Sequence, residues 1–127
     1  MIIKRTIDVE EEIRQALSDK ITCYVRPLPK DFAVPSLLIT STGGTETDTI
    51  DTFVVSLDAR GKTDAEADKF LRNALALLQK VADEQTSAIR SVRINALPRW
   101  GSDPARPELK LRGATVTVMA HKETVNI

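Results

Sequence analysis

Hydrophobic residues in the first part of the chain recur at helical spacing. Between residues 8 and 20, apolar side chains fall three or four positions apart, at Val9, Ile13, Ala16 and Leu17. This spacing places them on one face of a helix. Asp8 stands at the N-cap position, and Glu11 follows three residues later, as in a capping box. The pattern predicts a first helix over residues 8–20.

A second helical pattern begins after a break at residues 60–62. Thr63 and Glu66 have the spacing of another capping box at its start. Helical spacing then continues to about Asp83 through Phe70, Leu71, Ala74, Leu75, Leu78 and Val81. The pattern predicts the longer of two helices.

Shorter segments that alternate, or that are rich in β-branched residues, predict five strands. They lie at residues 21–25, 36–42, 52–59, 88–97 and 109–121. In the third strand one face carries the apolar residues Phe53, Val55, Leu57 and Ala59. Gly43 and Gly44 signal a turn, so the second and third strands are expected to form a hairpin with a long or mobile tip.

The final strand changes phase along its length. Leu109 and Leu111 have one parity, whereas Ala114 and the alternate residues after it have the other. Gly113 lies at the change, which predicts a β-bulge or bend there. The six residues after His121 are expected to fray.

Helices and strands in this order predict an α+β fold. We expect two helices packed on one face of a mixed or antiparallel sheet of four to five strands, in one domain spanning residues 1–127. The chain has 127 residues, of which 42% are hydrophobic, which is enough for one core. The predicted core consists of Leu17, Phe53, Val55, Leu57, Leu71, Leu75, Leu78, Val92, Ile94, Val116 and Val118.

The charge balance argues against a protein that binds nucleic acid. Lys and Arg total 18, Asp and Glu total 18, and the formal net charge is zero. Domains that bind the phosphate backbone are usually clearly basic. Near-zero charge also weakens the repulsion between copies, which permits self-association. No apolar stretch approaches transmembrane length, so no membrane partner is expected.

Residues able to carry catalysis are scarce. His121 is the only histidine and has no nucleophile motif near it, so we interpret it as a solvent-facing strand residue. Cys23 is the only cysteine, and its alternation with Ile21 and Val25 predicts a buried thiol. One Cys and one His cannot supply a zinc tetrad. We therefore predict no catalytic activity, no cofactor and no metal, and a lone cysteine fits a reducing cytoplasm.

Two glycine-containing segments resemble parts of a phosphate-binding loop. Residues 43–44 are followed by Thr and acidic residues, where that loop requires Lys and a helix start. Residues 61–63 read Gly-Lys-Thr before a helix, but Ser56 occupies the position of the upstream glycine. We interpret the first segment as a hairpin turn and Thr63 as an N-cap.

The acidic segment over residues 45–51 is a first candidate interface. Glu46, Asp48 and Asp51 lie in it, and their spacing misses the calcium-loop pattern. We interpret them as a solvated hairpin tip. The segment has little apolar surface, so we expect it to be mobile in the isolated subunit and ordered at an interface.

The second candidate interface lies in residues 97–108, which hold three prolines and the only tryptophan. Arg99 and Trp100 are of the residue types enriched at interface hot spots. The alternative is that Trp100 folds back to cap the core. Prolines limit regular structure, so residues 98–107 are also expected to be mobile until a partner orders them.

The order of these elements resembles the tail terminator, or tail completion, proteins of long-tailed phages. The matching pieces are Val9 to Leu17, Val34 to Leu37, Phe53 to Asp58, Lys62 to Ala67 and Arg112 to His121. The resemblance spans most of the chain and concerns the order of the elements and the character of their sequences.

The resemblance implies a structural role. Such proteins form a hexameric ring on the major tail protein, stop growth of the tail tube and present the surface that joins the head connector. The chain would then be a virion protein of the tail or neck, assembled in the bacterial cytoplasm. Its partners would be copies of itself, the tail tube protein and the head–tail connector protein. Two alternatives stay open: another connector or neck protein, and a bacterial accessory binding domain with no phage role.

Overall fold

Eight strands and two helices make up the described part of the chain. The computed structural model describes residues 1–96 and 98–127. The elements are β1 Ile2–Arg5, α1 Val9–Leu17, β2 Cys23–Val25, β3 Ser36–Thr45, β4 Ile50–Gly61, α2 Asp64–Glu84, β5 Ile89–Ile94, β6 Arg99–Ser102, β7 Lys110–His121 and β8 Glu123–Asn126. Neither helix is long and apolar enough to cross a membrane.

Six of the strands form one mixed sheet. Its order is β2-β3-β4-β7-β5, and β6 pairs with β7 beyond the end of β5. The β2–β3 pair is parallel and the other pairs are antiparallel. The predicted α+β class is confirmed, but the predicted count of four to five strands is too small. The extra strands are β6, within a segment expected to be irregular, and the pair formed by β1 and β8.

The strands β1 and β8 form a separate two-stranded sheet, here called the terminal ribbon. Ile2 lies opposite Asn126 and Arg5 lies opposite Glu123. The expectation that residues 122–127 fray is therefore wrong. The backbone groups of this segment are paired with the other end of the chain, a partner that no local pattern indicates.

Both helices begin at the predicted caps. The Asp8 side chain accepts a hydrogen bond from the backbone N–H of Glu11 at 3.3 Å, and Thr63 Oγ1 accepts one from Glu66 at 3.1 Å. Glu66 reaches back to the backbone N–H of Lys62 at 2.9 Å, whereas the Glu11 carboxylate binds Arg14 instead of completing a box. The first helix ends at Leu17, three residues before the predicted end.

The core lies between the two helices and one face of the sheet. Fully buried there are Leu17, Val55, Leu57, Leu71, Leu78, Val116 and Val118, all of them predicted, together with the nearly buried Leu75. Phe53 and Val92 are only partly buried and pack against this core. The prediction for Ile94 is wrong, because it ends an edge strand and is 39% exposed.

No bulge interrupts β7 at Gly113, so that prediction is also wrong. The register between β4 and β7 is continuous, with Asp58 opposite Gly113. A Cβ atom on Gly113 would lie 2.5 Å from the Asp58 Oδ1. The glycine therefore makes room for the Asp58 carboxylate and does not mark a bend in the strand. The phase changes because Leu111 lies on the face away from the helices, close to Gly101 of β6.

Candidate assembly surfaces

Two groups of polar side chains lie at opposite ends of the long strand β7. At one end Trp100 of β6 lies opposite Arg112, and at the other Asp51 of β4 lies opposite Ala120. Arg112 and Ala120 are far enough apart in sequence to be separated by about 27 Å along an extended strand. The two candidate interfaces found in the sequence therefore do not form one site.

The first group, here called the tryptophan cluster, consists of Trp100, Arg112, Asp68 and Arg72. The Arg112 guanidinium carbon lies 4.3 Å from the centroid of the Trp100 ring, in cation–π geometry. Arg112 Nε donates to Asp68 Oδ1 of α2 at 3.2 Å, and Arg72 Nε donates to Asp68 Oδ2 at 2.9 Å. Trp100 itself is 51% exposed. An aromatic ring is thus held open to solvent on an ordered support.

This arrangement differs from two expectations for residues 98–107, namely that the segment is irregular and that Trp100 caps the core. Arg99 and Trp100 lie in strand β6 and not in an irregular loop, while Leu97 lies outside the described residues. Trp100 does not cap the core, because half of it is exposed and its ring packs on a charged side chain. The prolines fall outside β6, so they do not prevent its pairing with β7.

Arg99 points to the other face of the sheet, away from the helices. A Cβ atom on Gly113 would lie 3.7 Å from the Arg99 guanidinium carbon. Asp58 lies beside it, and burial raises the pKa of the Asp58 carboxyl while Arg99 and Arg60 oppose that rise. The small residue at position 113 thus lets a carboxylate and a guanidinium approach each other across β7.

A further contact, which we call the Phe32 clamp, joins two loops over this face. The guanidinium carbons of Arg60 and Arg106 lie 5.6 and 5.4 Å from the Phe32 ring centroid. Arg60 Nε also donates to Asp103 Oδ2 at 3.2 Å, and both side chains are largely buried. Burial alone would raise the pKa of Asp103, but hydrogen bonds from Ala105 and Arg60 hold it below its usual value. The loop after Ser102 is therefore tied to the sheet.

The second group, here called the lysine cluster, lies at the other end of β7. Lys122 Nζ donates to Glu46 at 2.6 Å, to Asp51 at 2.9 Å and to Thr6 Oγ1 at 3.5 Å. The Lys122 side chain is only 8% exposed and that of Asp51 only 2%. Because Thr6 follows β1 and Lys122 precedes β8, the cluster ties both strands of the terminal ribbon to the β3–β4 hairpin.

Charges in the lysine cluster favour the ionised forms. The hydrogen bond to Glu46 raises the pKa of Lys122 above its usual value, against the effect of burial. Burial would raise the pKa of Asp51, but hydrogen bonds from Lys122 and Thr6 lower it below the usual value. The interpretation of Asp51 as part of a solvated tip is therefore wrong, whereas Glu46 and Asp48 are exposed as expected.

The predicted hairpin is confirmed, with a tip shorter than expected. Strand β3 runs to Thr45 and β4 begins at Ile50, so only residues 46–49 connect them. Thr47 Oγ1 accepts a hydrogen bond from the backbone N–H of Ile50 at 3.1 Å, which closes the turn. Gly43 and Gly44 have positive φ angles, and the register shifts between Ser41 and Gly43. These glycines bend the strand before the tip.

The remaining candidate residues lie where the sequence placed them. His121 is exposed at the end of β7, and Cys23 is buried under α1, where burial raises the pKa of its thiol. Thr63 caps α2, as predicted. Among the described residues, no group of three or more His, Cys, Asp or Glu side chains is placed to hold a metal ion.

The sequence did not single out the residues at the centre of these clusters, which are Phe32, Arg112 and Lys122. Each makes its contacts with partners far away in the chain, as Arg112 does with Asp68 and Lys122 with Asp51. Helical or strand periodicity carries no information on such pairs. The only local signal is an aromatic residue, Phe32, in a loop with three prolines.

No protein-family model matches the chain, and no curated protein sequence matches it.

Proposed function

We propose that this chain is a structural virion protein that forms a ring on a phage tail tube, ends tail polymerisation and provides the head-joining surface. The observation that carries the proposal is the placement of two distinct polar surfaces at opposite ends of β4 and β7. A ring between tube and head needs two axial surfaces, and a small subunit must supply both. The order of helices and strands, which resembles that of tail terminators, also supports the proposal.

The two surfaces differ in the way that two different partners would require. The tryptophan cluster presents an aromatic ring together with two arginines, Arg112 and Arg72, and one carboxylate, so it is partly apolar and carries a net positive charge. The lysine cluster lies beneath a hairpin tip whose exposed residues include Glu46 and Asp48, so that end is acidic. Complementary charge selects partners and orientation.

The ordered supports of both surfaces favour binding over catalysis as the role of these residues. Arg112 is held by Asp68, and Lys122 is held by Asp51, so both charged groups are fixed in position. Rigid presentation lowers the entropy lost on association. An aromatic residue with an adjacent arginine is the usual composition of an interface hot spot.

Tail length distinguishes the proposal from a role as another neck protein. The gene for this chain is inactivated in the phage or prophage that encodes it, and the tails are measured by electron microscopy. Loss of a terminator leaves tubes that exceed the normal length and carry no heads. Loss of a connector protein leaves tails of normal length, and an unchanged virion would exclude a structural phage role. Supplying the chain from a plasmid should restore normal length.

A further inference from the structure

The terminal ribbon has two unused edges. In the described part of the chain β1 and β8 pair only with each other, and Ile2 is 72% exposed at the end of the ribbon. An isolated pair of strands is marginally stable in water. The lysine cluster fixes the base of the ribbon through Thr6 and Lys122, so the ribbon is presented in a defined direction.

Strand β5 has an unused edge as well. It pairs with β7 on one side and, in the described residues, with no strand on the other. Asn95, directly after β5, donates its backbone N–H to the carbonyl oxygen of Thr115 in β7 at 2.9 Å. Since N–H groups alternate in direction along a strand, those of Val92 and Ile94 point to the free edge. Ile94 is also an exposed apolar side chain there.

The charges on the strands indicate which strand of the terminal ribbon can pair with the free edge of β5. Strand β5 carries two arginines, Arg90 and Arg93, and no acidic residue. Strand β1 carries Lys4 and Arg5, so pairing it with β5 would bring like charges together. Strand β8 carries an acidic residue and no basic one. Opposite charges on paired strands stabilise the pair and like charges destabilise it.

We propose that β8 of one copy pairs with the free edge of β5 in a second copy, so that the sheet continues from subunit to subunit. Strand addition satisfies the outward backbone groups of Val92 and Ile94 and places Glu123 of the ribbon near Arg93 of the neighbour. The donor and acceptor surfaces differ, so the contact is heterologous and propagates around a ring when its rotation closes. This inference deepens the proposed function and rests on it for the closure of the ring.

Disulfide trapping tests which strands meet. All variants carry Cys23→Ala to remove the native thiol. Protein with Thr124→Cys in β8 is mixed with protein carrying a cysteine at 90, 92 or 94 in turn, the β5 positions on the face opposite to that of Arg93, and the mixture is oxidised. We expect a mixed disulfide dimer with at least one of the three. The matched control is Lys4→Cys, which lies directly opposite Thr124 in the ribbon and should give at least tenfold less. Equal trapping by both ribbon strands, or none by Thr124→Cys, overturns the proposal.

A proline at the free edge tests the backbone pairing. Ile94→Pro removes an outward donor while the β7 ladder keeps its bonds, as edge strands allow. We expect sedimentation to show self-association weakened at least tenfold, with Ile94→Thr as the control that keeps the donor. If Ile94→Pro lowers the melting temperature, charge-reversal variants are used instead of the proline variant. Arg93→Glu and Glu123→Lys should each weaken association and together restore it, and unchanged association in both tests overturns the proposal.

Failure of this contact and failure of the proposed function are distinguishable. Tails that overrun their length when the gene is lost, combined with no β8–β5 trapping in purified protein, leave the terminator role intact and reject the contact. Trapping in purified protein without any tail defect supports the contact and rejects the role. Glu123 also pairs with Arg5 within the ribbon, so Arg5→Gln, which breaks that pair alone, should leave association unchanged.

Discussion

Arg112 lies 4.3 Å from the ring centroid of Trp100 and is held there by Asp68 of the second helix. The stack joins the edge strand β6 to α2 across β7. It keeps the tryptophan in a fixed orientation while half of its surface stays exposed. A side chain so placed contributes little to the core and much to any surface that contacts it.

The tryptophan cluster therefore predicts a separation of stability from assembly. Replacing both Trp100 and its exposed neighbour Arg99 by Ala should lower the free energy of unfolding by about 1 kcal/mol, the value of the cation–π contact that Trp100 makes with Arg112 at an exposed site. The same double variant should impair ring formation or tail joining. Thermal melts and electron microscopy of complemented tails measure the two effects.

The matched control replaces Gln79 and Lys80, two exposed residues of α2 that belong to neither surface, by Ala. It should assemble normally. If the Arg99/Trp100 variant unfolds the subunit, the cluster belongs to the core after all. If it assembles normally and tails keep their normal length, this edge of the sheet is ordinary surface.

The core of the protein makes a second prediction at Leu75. Its side chain is nearly buried between α2 and the sheet, so Leu75→Ala should destabilise the fold by roughly 2–5 kcal/mol. Leu77, on the same helix, is only partly buried and provides the control for the change in helix propensity. Denaturant melts of Leu75→Ala and Leu77→Ala should differ by more than about 1 kcal/mol. Equal losses would mean that position 75 is no more buried than position 77.

The lysine cluster predicts a loss of stability that a second substitution relieves. Lys122→Met leaves the Asp51 carboxylate, which is only 2% exposed, without its cation, so the variant should be less stable than the unmodified protein in denaturant melts. Adding Asp51→Leu should recover much of that loss, because no charge is then buried. Lys4→Met, at an exposed position, is the control for removal of a lysine. A double variant that is no more stable than Lys122→Met would contradict the burial argument.

The same pair sets a pH dependence. The pKa of Asp51 is lowered in the fold, so its contribution is present above the unfolded pKa and is lost as pH falls through the folded pKa. The pKa of Lys122 is raised, so its contribution is present below its unfolded pKa and is lost as pH rises through its folded pKa. Stability melts of Asp51→Asn and of the unmodified protein should therefore converge at acidic pH.

The periodic elements were predictable because their signals are local. Asp8 and Thr63 mark helix starts within three residues, and the alternation around Val55 gives the buried face of β4 directly. The strand β6 and the ribbon were missed, since their pairing partners lie elsewhere in the chain. The clusters were missed for the same reason: Lys122 and Asp51 are 71 positions apart. The exposed residues of the candidate interfaces were found from their residue types alone. Their placement at opposite ends of β7 follows from the strand register, which the sequence did not reveal.

Gly113 makes the last prediction, since the sequence and the structure assign it different roles. A bulge glycine tolerates Ala poorly because of its backbone angles, whereas the structure places Gly113 in a regular ladder with Asp58 directly across from it. A Cβ atom there would approach the Asp58 carboxylate to 2.5 Å, so Gly113→Ala must displace Asp58 and should cost about 1–3 kcal/mol, the usual range for overpacking. Adding Asp58→Ala removes the clash and should restore most of the stability in denaturant melts. If the two losses simply add, backbone conformation and not the close approach of Asp58 is the reason for a glycine at position 113.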